Sequence, residues 1–179
     1  MIPPLDAHTS SMITTQSYQA QQPIEGVLYQ PLKKHRSLEG SFMEHVRLTD
    51  GKITNIPLAF DVRQISISQA EPLRVNAFHI HHKDMQDELW CVIHGVLHVW
   101  LIDVRANSPT KNVQWQIILS GEEPGLLYIP TGVAHGYKAG REGATLLYAM
   151  SNQFNPADPN EGRLPWDYFG KELWEDERG

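Results

Sequence analysis

The sequence is short of cysteine, of basic residues and of long apolar runs. Its one cysteine, Cys91, cannot form an internal disulfide, so a reducing compartment is the expected setting. No apolar run reaches the length of a membrane-spanning helix, and the N-terminus lacks the basic-then-apolar order of a signal peptide. We therefore predict a cytoplasmic protein with no membrane partner.

Basic side chains are outnumbered, with 15 Lys and Arg against 21 Asp and Glu and a net charge of −6. A protein that follows a phosphate backbone needs a basic face, so nucleic acid is not a predicted partner. The hydrophobic content of 41% is that of a folded chain, and 179 residues are enough to bury one core. These values predict a single globular unit.

Short stretches of alternating apolar and polar residues, separated by turn residues, recur through most of the chain. This pattern predicts an all-β fold, an antiparallel sandwich or barrel. Residues 89–93 and 96–103 are expected as two such strands, joined by a turn at His94-Gly95. The sequence thus favours many short strands over a few long ones.

Composition changes at both ends of this β-rich region. Residues 1–25 are rich in Thr, Ser, Gln and Pro and are expected to form a flexible N-terminal arm. Residues 26–168 are expected to form the one folded domain. Residues 169–179 are expected to be an acidic C-terminal tail that contains a short helix.

Two stretches carry side chains that bind metals. His79 and His81 are two residues apart, so in a strand their imidazoles point to the same face, and Glu88 follows across a short loop. A Pro-x-Gly turn at residues 130–132 then brings in His135. Three imidazoles and one carboxylate are a ligand set suited to a divalent metal such as zinc, iron, manganese, nickel or cobalt.

Two interpretations of these four residues stay open. A single buried histidine is more often a core residue with satisfied hydrogen bonds than a metal ligand. Three imidazoles and a carboxylate gathered in a dry barrel, however, carry a desolvation cost that a bound cation offsets. Each motif alone is weak, whereas the two in this order and spacing are more specific.

A longer set of residues points to one family. They are Gly40-Ser41-Phe42-Met43-Glu44, Asp103-Val104-Arg105, Ser108-Pro109-Thr110, Trp115, Leu119-Ser120, Ile129-Pro130, Gly132, Ala134-His135-Gly136-Tyr137, Leu147-Tyr148, Asn155-Pro156 and Trp166-Asp167. Over residues 40–167 the chain resembles the dTDP-4-dehydrorhamnose 3,5-epimerase family, a branch of the cupins.

This resemblance implies a cupin jelly-roll barrel that acts as a homodimer on a nucleotide-linked 4-keto sugar. In the family a histidine removes the proton next to the ketone, a lysine steadies the enolate, and a tyrosine returns a proton on the opposite face. His79 matches the family base and Tyr148 matches the family acid. The resemblance therefore implies that these two residues are catalytic.

The chain departs from the family at several of its working positions. Asn76 stands where the family has arginine, Glu88 where it has lysine, and His81 where it has glutamine. Glu39 replaces another arginine, and the aspartate that partners the base would fall beyond Gly179. A carboxylate at position 88 is expected to repel an enolate rather than steady it.

The changes to His81 and Glu88 restore the metal-binding set of the wider cupin class. Our hypothesis is that a divalent metal, held by His79, His81, Glu88 and His135, replaces the lysine as electrophile. His79 would then be a ligand and could not serve as the base. No other cofactor is predicted.

The predicted function is that of an isomerase: a sugar epimerase acting on a dTDP-linked keto-sugar in cell-surface carbohydrate biosynthesis. One alternative is a metal-dependent cupin enzyme, an isomerase or an oxygenase, that acts on an unlinked small molecule. The other is a cupin that binds a sugar without turnover. The predicted ligand is in each case a small molecule, a sugar or nucleotide sugar in the first and last.

Overall fold

The structure, a computed structural model, describes residues 3–15 and 24–175. It contains one short α-helix, α1, at Ala7–Met12 and one turn of 3-10 helix at Lys171–Trp174. The strands are β1 Leu28–Pro31, β2 Lys34–Ser37, β3 Gly40–Met43, β4 Leu48–Thr49, β5 Lys52–Ile53, β6 Gln64–Ala70, β7 Val75–Ile80, β8 Glu88–Asp103, β9 Gln114–Ser120, β10 Gly125–Ile129, β11 Val133–Met150 and β12 Gly162–Arg163.

The strands form one large sheet and two small hairpins, and every pairing is antiparallel. In the large sheet the order is β1-β10-β8-β11-β7-β12, with β6 also paired to β11 and β9 also paired to β8. The all-β, antiparallel prediction is therefore confirmed. No helix in the described part of the chain is long and apolar enough to cross a membrane.

The prediction of two short strands joined at His94-Gly95 is wrong, because β8 runs through this dipeptide as one strand of 16 residues. Gly95 has a positive φ of 72° and lies opposite Ala144 of β11, so it bends the strand instead of reversing it. A Cβ on Gly95 would lie 2.1 Å from the carbonyl oxygen of Gly143. The bend therefore requires glycine, which in the sequence alone looks like a turn residue.

The two ends of the chain differ in part from expectation. Residues 7–12 of the predicted arm form α1, which begins after Asp6 and buries no side chain. The predicted C-terminal helix is only the 3-10 turn, and residues 176–179 lie outside the described part. Trp174 in that turn is 6% exposed and packs on Phe78 of β7, which holds this segment against the sheet.

Phe78 shows how β7 separates core from site. Its side chain is fully buried with Ile102, Ala134 and Trp174. Because neighbouring residues of a strand point to opposite faces, His79 faces the other way. The apolar packing of Phe78 thus fixes the direction in which the imidazole of His79 points.

A buried carboxylate explains one of the motifs that carried the family resemblance. Asp103, which is fully buried, accepts hydrogen bonds from the Arg105 side chain at 2.9 Å, from Ser108 Oγ and from Thr110 Oγ1 at 2.7 Å. Burial alone raises the pKa of Asp103, but these hydrogen bonds outweigh it and hold that pKa well below its usual range. Arg105 also donates to the Glu25 carbonyl at 2.6 Å, which ties the start of the domain to this loop.

Candidate active site

Strands β6, β7, β8, β11 and β12 surround a cavity of about 380 Å³. All three histidines of the sequence motifs lie at or beside it, and two of them line its wall directly. The lining also includes acidic, aromatic and basic side chains, among them Glu88, Trp90, Tyr148, Glu161 and Arg163. A cavity with a few converging polar groups is the usual form of a small-molecule site.

Strand pairing brings the three histidines together. His79 of β7 and His135 of β11 are direct cross-strand partners, and His81 follows His79 on the same face. The ring centroids of His79 and His81 are 4.6 Å apart, and those of His79 and His135 are 5.1 Å apart. One ligand atom from each of the three lies within 4.8 Å of the others, so they form one cluster.

Backbone carbonyls fix the orientation of two of these rings. Nδ1 of His81 is 2.8 Å from the carbonyl oxygen of Asn160, and Nδ1 of His135 is 3.0 Å from that of Val133. A carbonyl oxygen only accepts, so each Nδ1 carries a proton and donates it. The Nε2 atoms of both rings are therefore directed to the inside of the cluster, toward Glu88.

Glu88 is a buried carboxylate with donors on both oxygens. Its Oε1 is 2.9 Å from Nε2 of His81, and its Oε2 accepts from Nε1 of Trp90 at 2.6 Å and lies 3.5 Å from Nε2 of His135. Burial raises the pKa of Glu88, but the hydrogen bond from His81 and the electrostatic interaction with the surrounding histidines outweigh burial and lower that pKa to about 2. Glu88 is thus ionised.

The same contact acts on His81 in the opposite direction. Burial lowers the pKa of His81, but the bond to Glu88 outweighs it, so this pKa lies above its ordinary value. The negative charge of Glu88 is therefore offset by the positive charge of His81. This is a buried ion pair with hydrogen bonds at both ends.

His79 differs from the other two histidines in its surroundings. Its side chain is 16% exposed and lies on the cavity wall. Burial, and then the charges of His135 and His81, lower its pKa to about 3, so the ring is neutral at physiological pH. Its Nε2 lies 2.6 Å from Oε2 of Glu161, although the approach lacks the angles of a hydrogen bond.

Tyr148 reaches the same cavity from β11, where it pairs with Ser66 of β6 and Trp90 of β8. It is half-buried. Burial, followed by the charge of Glu88, raises the pKa of its hydroxyl. The phenol is thus protonated at neutral pH and can donate a proton or a hydrogen bond.

Sequence reasoning missed two charged residues of the site, Glu161 and Arg163. They lie in a stretch rich in Pro and Asn that has no periodicity, and they flank Gly162 in and beside the two-residue strand β12. Gly162 pairs with Ile80 and Arg163 with His79, so both charged side chains reach the cavity. The only sign of them in the sequence was their i, i+2 spacing, which puts two side chains on the same face of a strand.

Gly162 is what allows this close pairing. A Cβ at this position would lie 2.6 Å from Nδ1 of His82 and 2.8 Å from the carbonyl oxygen of Ile80. Only glycine therefore lets β12 approach β7 closely enough to place Glu161 against His79.

The structure thus brings together His79, His81 and His135 in one cluster with Glu88 beside it, and places Tyr148 on the wall of the adjoining cavity. A neutral imidazole and a protonated phenol on the wall of one cavity can transfer protons to and from a bound molecule. The converging Nε2 atoms can also hold a cation.

Comparison with known proteins shows which family the chain resembles. Residues 21–168 match the model of the dTDP-4-dehydrorhamnose 3,5-epimerase family. The spore coat polysaccharide biosynthesis protein SpsL of Bacillus subtilis is 37% identical over 145 residues, which cover 80% of this chain and 91% of SpsL. The dTDP-4-dehydrorhamnose 3,5-epimerase of Mycobacterium tuberculosis H37Rv is 31% identical over 100 residues, 55% of this chain and 49% of that enzyme.

Solved structures give the same result at the level of the fold. A dTDP sugar isomerase from Desulfovibrio desulfuricans G20 superposes with a TM-score of 0.69 at 26% identity, covering 81% of this chain and 87% of the other. ChmJ, a 3'-monoepimerase from Streptomyces bikiniensis, superposes with a TM-score of 0.70 at 22% identity, covering 83% and 75%. The predicted cupin jelly roll is confirmed. Because the family match spans nearly the whole described barrel and includes both histidine motifs, the chain belongs to the dTDP-4-dehydrorhamnose 3,5-epimerase family.

Proposed function

We propose that the protein epimerises a dTDP-linked 4-keto sugar that is used in cell-surface polysaccharide synthesis. The observation that carries this proposal is the neutral imidazole of His79 on the wall of a cavity that Tyr148 also lines. Two relatives support the substrate class. SpsL takes part in spore coat polysaccharide biosynthesis, and the ChmJ structure holds dTDP-quinovose.

Epimerisation beside a ketone needs a base on one side of the reacting carbon and an acid on the other. His79 removes the proton from the carbon, which leaves an enolate, and Tyr148 donates a proton to the opposite face. The low pKa of His79 keeps its nitrogen free to accept a proton, and the raised pKa of Tyr148 keeps its hydroxyl protonated. Glu161, in contact with His79, is placed to share the proton that the imidazole takes up.

The enolate oxygen carries negative charge and needs a donor or a cation near it. The negative charge of Glu88 destabilises the enolate less than its position suggests, because both carboxylate oxygens accept hydrogen bonds, one from His81 and one from Trp90. Arg163 lines the same cavity and brings a positive charge to it. The enolate therefore has to be stabilised by residues other than the lysine that the family uses.

The proposal is tested by proton NMR of the protein with dTDP-4-keto-6-deoxyglucose in deuterium oxide. We expect deuterium at a carbon next to the ketone and the appearance of a new sugar stereoisomer. Arg141→Gln, a change of an exposed residue outside the cavity lining, should react at the wild-type rate. If the protein binds this sugar nucleotide but exchanges no proton, the epimerase proposal fails and the sugar-binding cupin without turnover is correct.

The alternative proposal is a metal ion with His79 as one of its ligands instead of the base, and the orientation of the histidines favours it. His81 and His135 use Nδ1 to bond backbone carbonyls, and His135 Nε2 and His79 Nε2 are buried without a hydrogen-bond partner in the described structure. Such carbonyl contacts behind an imidazole are typical of metal-binding histidines. The three histidines would hold the ion, with Glu88 beside them. A divalent ion at this position would polarise a substrate carbonyl.

Elemental analysis of the purified protein tests this second proposal. We expect close to one divalent ion per chain in the wild type and about tenfold less in His81→Ala, because the substitution removes one of the three converging imidazoles. His94→Ala removes an exposed histidine outside the cluster and should keep the metal. Wild-type protein that stays free of metal after dialysis against zinc, manganese or iron(II) would rule the site out.

The predicted homodimer is proposed on the family resemblance, with support from β6, where Ile65 and Ile67 are 55% and 64% exposed on one face of the strand. An exposed apolar strand face of this kind is typical of a protein interface. The molar mass in solution decides the question, since the chain alone is 20.4 kDa. The domain limits at residues 25 and 168 and the cytoplasmic location stay predictions.

A further inference from the structure

Asn160 is a buried asparagine that lies directly before Glu161 in the chain and is 8% exposed. It does not line the cavity that contains His79. Its backbone carbonyl nevertheless bonds the ring of His81, and its side chain bonds the loop that follows His81, residues 82–87. A residue that contacts the framework of a site but not its cavity can act only through the groups that it holds.

The side-chain amide of Asn160 holds the start of this loop. Its Oδ1 accepts hydrogen bonds from three successive backbone N–H groups, those of His82 at 3.1 Å, Lys83 at 2.8 Å and Asp84 at 3.2 Å. Its Nδ2 donates to the carbonyl oxygen of Asp84 at 2.9 Å. Successive N–H groups that converge on one oxygen form a concave site that favours negative charge. We call these four contacts the Asn160 clamp.

The backbone carbonyl of Asn160 orients the imidazole of His81. It accepts from Nδ1 of His81 at 2.8 Å, while Nε2 of that ring lies 2.9 Å from Oε1 of Glu88. Residues 82–84 follow His81 directly, so the Asn160 clamp sets the position of this carbonyl relative to the ring. His81 stands where the family has glutamine, so the contact accompanies a departure of this chain from the family.

The far end of the loop has its own anchors. The N–H of Gln86 donates to Oγ1 of Thr131 at 2.8 Å, and the N–H of Asp87 donates to Oγ of Ser151 at 2.8 Å. Glu88 follows directly. These contacts fix the end of the loop next to Glu88, whereas the Asn160 clamp fixes the end next to His81.

The clamp also acts on the next residue in the chain, Glu161. Oε2 of Glu161 lies 2.6 Å from Nε2 of His79. On the other side of Glu161, Gly162 pairs with Ile80 of β7. The backbone that carries the Glu161 carboxylate is therefore fixed on both sides, by the loop that follows His81 and by the strand that contains His79.

We propose that Asn160 is a positioning residue of this site. Its carbonyl holds the ring of His81 toward Glu88, and its clamp keeps Glu161 beside the proposed base. This deepens the proposed function and rests on it, because the groups that Asn160 positions are those of the proposed epimerisation. A displacement of about 1 Å can slow a reaction by about 10²-fold, so a contact outside the cavity can still set the rate.

Proton NMR of the imidazole N–H groups tests the orientation of His81 without substrate. The Nδ1 proton of His81 is buried and hydrogen-bonded, so it should exchange slowly with water and give a downfield signal that is absent from His81→Gln. Asn160→Ala should lose this signal to rapid exchange, because the carbonyl is no longer held against the ring. Asn160→Asp keeps an oxygen among the three N–H groups and should keep the signal.

The exchange assay with dTDP-4-keto-6-deoxyglucose in deuterium oxide gives a second readout. Asn160→Ala should lower kcat by roughly 10- to 100-fold. KM should stay close to the wild-type value, because Asn160 does not line the cavity. Asn160→Asp should recover most of the lost rate. Asn152→Ala is the matched control, since Asn152 accepts a hydrogen bond from the neighbouring N–H of Gln153, and it should keep the wild-type rate and signal.

An unchanged His81 signal and wild-type kcat in Asn160→Ala would overturn the positioning role, even if the variant melts at a lower temperature. If Asn160→Ala does not fold, Asn160→Gln replaces it. That variant keeps the amide but places it one methylene further from the backbone, so wild-type signal and kcat in it would overturn the role too. Wild-type protein that exchanges no proton would overturn the epimerase proposal, while the NMR signal would still decide whether Asn160 orients His81.

Discussion

Replacing His79 by asparagine is expected to slow deuterium uptake into the keto-sugar by about 10³-fold, within the usual contribution of a general base. His79 is neutral and lies on the cavity wall, so it can take a proton from bound substrate. Asparagine keeps polar contact but has no basic nitrogen. The measurement is the proton NMR exchange assay in deuterium oxide.

Tyr148→Phe is the matched control, because it changes the second member of the proposed pair. It should leave deuterium uptake within about tenfold of the wild type while net inversion of the sugar falls, since only the returning proton is lost. His79→Asn protein that exchanges at the wild-type rate would show that another group is the base. Glu161, which touches His79, would be the first to replace in that case.

The metal content of His79→Asn has to be measured on the same sample. His79 is one of the three imidazoles that converge, so the substitution also removes a potential ligand. If wild-type protein contains no metal and His79→Asn still loses exchange, the imidazole acts as a base. If metal and exchange disappear together, His79 acts as a ligand.

Replacing Asp103 by asparagine is expected to lower the free energy of unfolding by about 3 kcal/mol, the loss found when one partner of a buried ion pair is removed. Asp103 is fully buried and accepts hydrogen bonds from Arg105, Ser108 and Thr110. An amide at this position turns one acceptor into a donor and leaves part of this set unpaired. At 179 residues the melting temperature should fall by roughly 6–12 °C.

The pH dependence of this effect gives a second readout. The pKa of Asp103 is lowered in the folded protein, so its stabilising contribution is complete above the ordinary aspartate value of 3.8 and is lost as pH falls below it. The difference between wild type and Asp103→Asn should therefore be large at pH 7 and shrink below about pH 4.

Asp158→Asn serves as the comparison for Asp103→Asn. Asp158 pairs with Lys83, but its side chain is 72% exposed, and exposed pairs contribute only about 0–1 kcal/mol. Its melting temperature should stay close to that of the wild type. Equal effects of the two substitutions would mean that the buried cluster around Asp103 does not stabilise the fold.

The sequence was informative where local geometry decides the result. The two-residue spacing of His79 and His81 was enough to predict a shared face, and Gly132, with a φ of 84°, makes the turn that leads into His135. These features depend on a few neighbouring residues, so their patterns are visible in the chain.

Features that depend on distant contacts were not visible. Gly95 looks like a turn residue, and only its close approach to Gly143 shows why β8 continues through it. Glu161 and Arg163 lie in an irregular stretch, and their position on the cavity wall follows from the pairing of β12 with β7. The balance of charge between His81 and Glu88 likewise required the distance between them.

The small size of β12 has a consequence for the diversification of such enzymes. This strand and the residue just before it, Glu161, bring one acidic and one basic side chain to the edge of the cavity. The histidines that line the cavity lie on other strands. Exposed edge segments change in sequence more easily than the core that supports them. Substrate preference can therefore be changed by mutation of the charged residues of this short segment without altering the barrel or its histidine cluster.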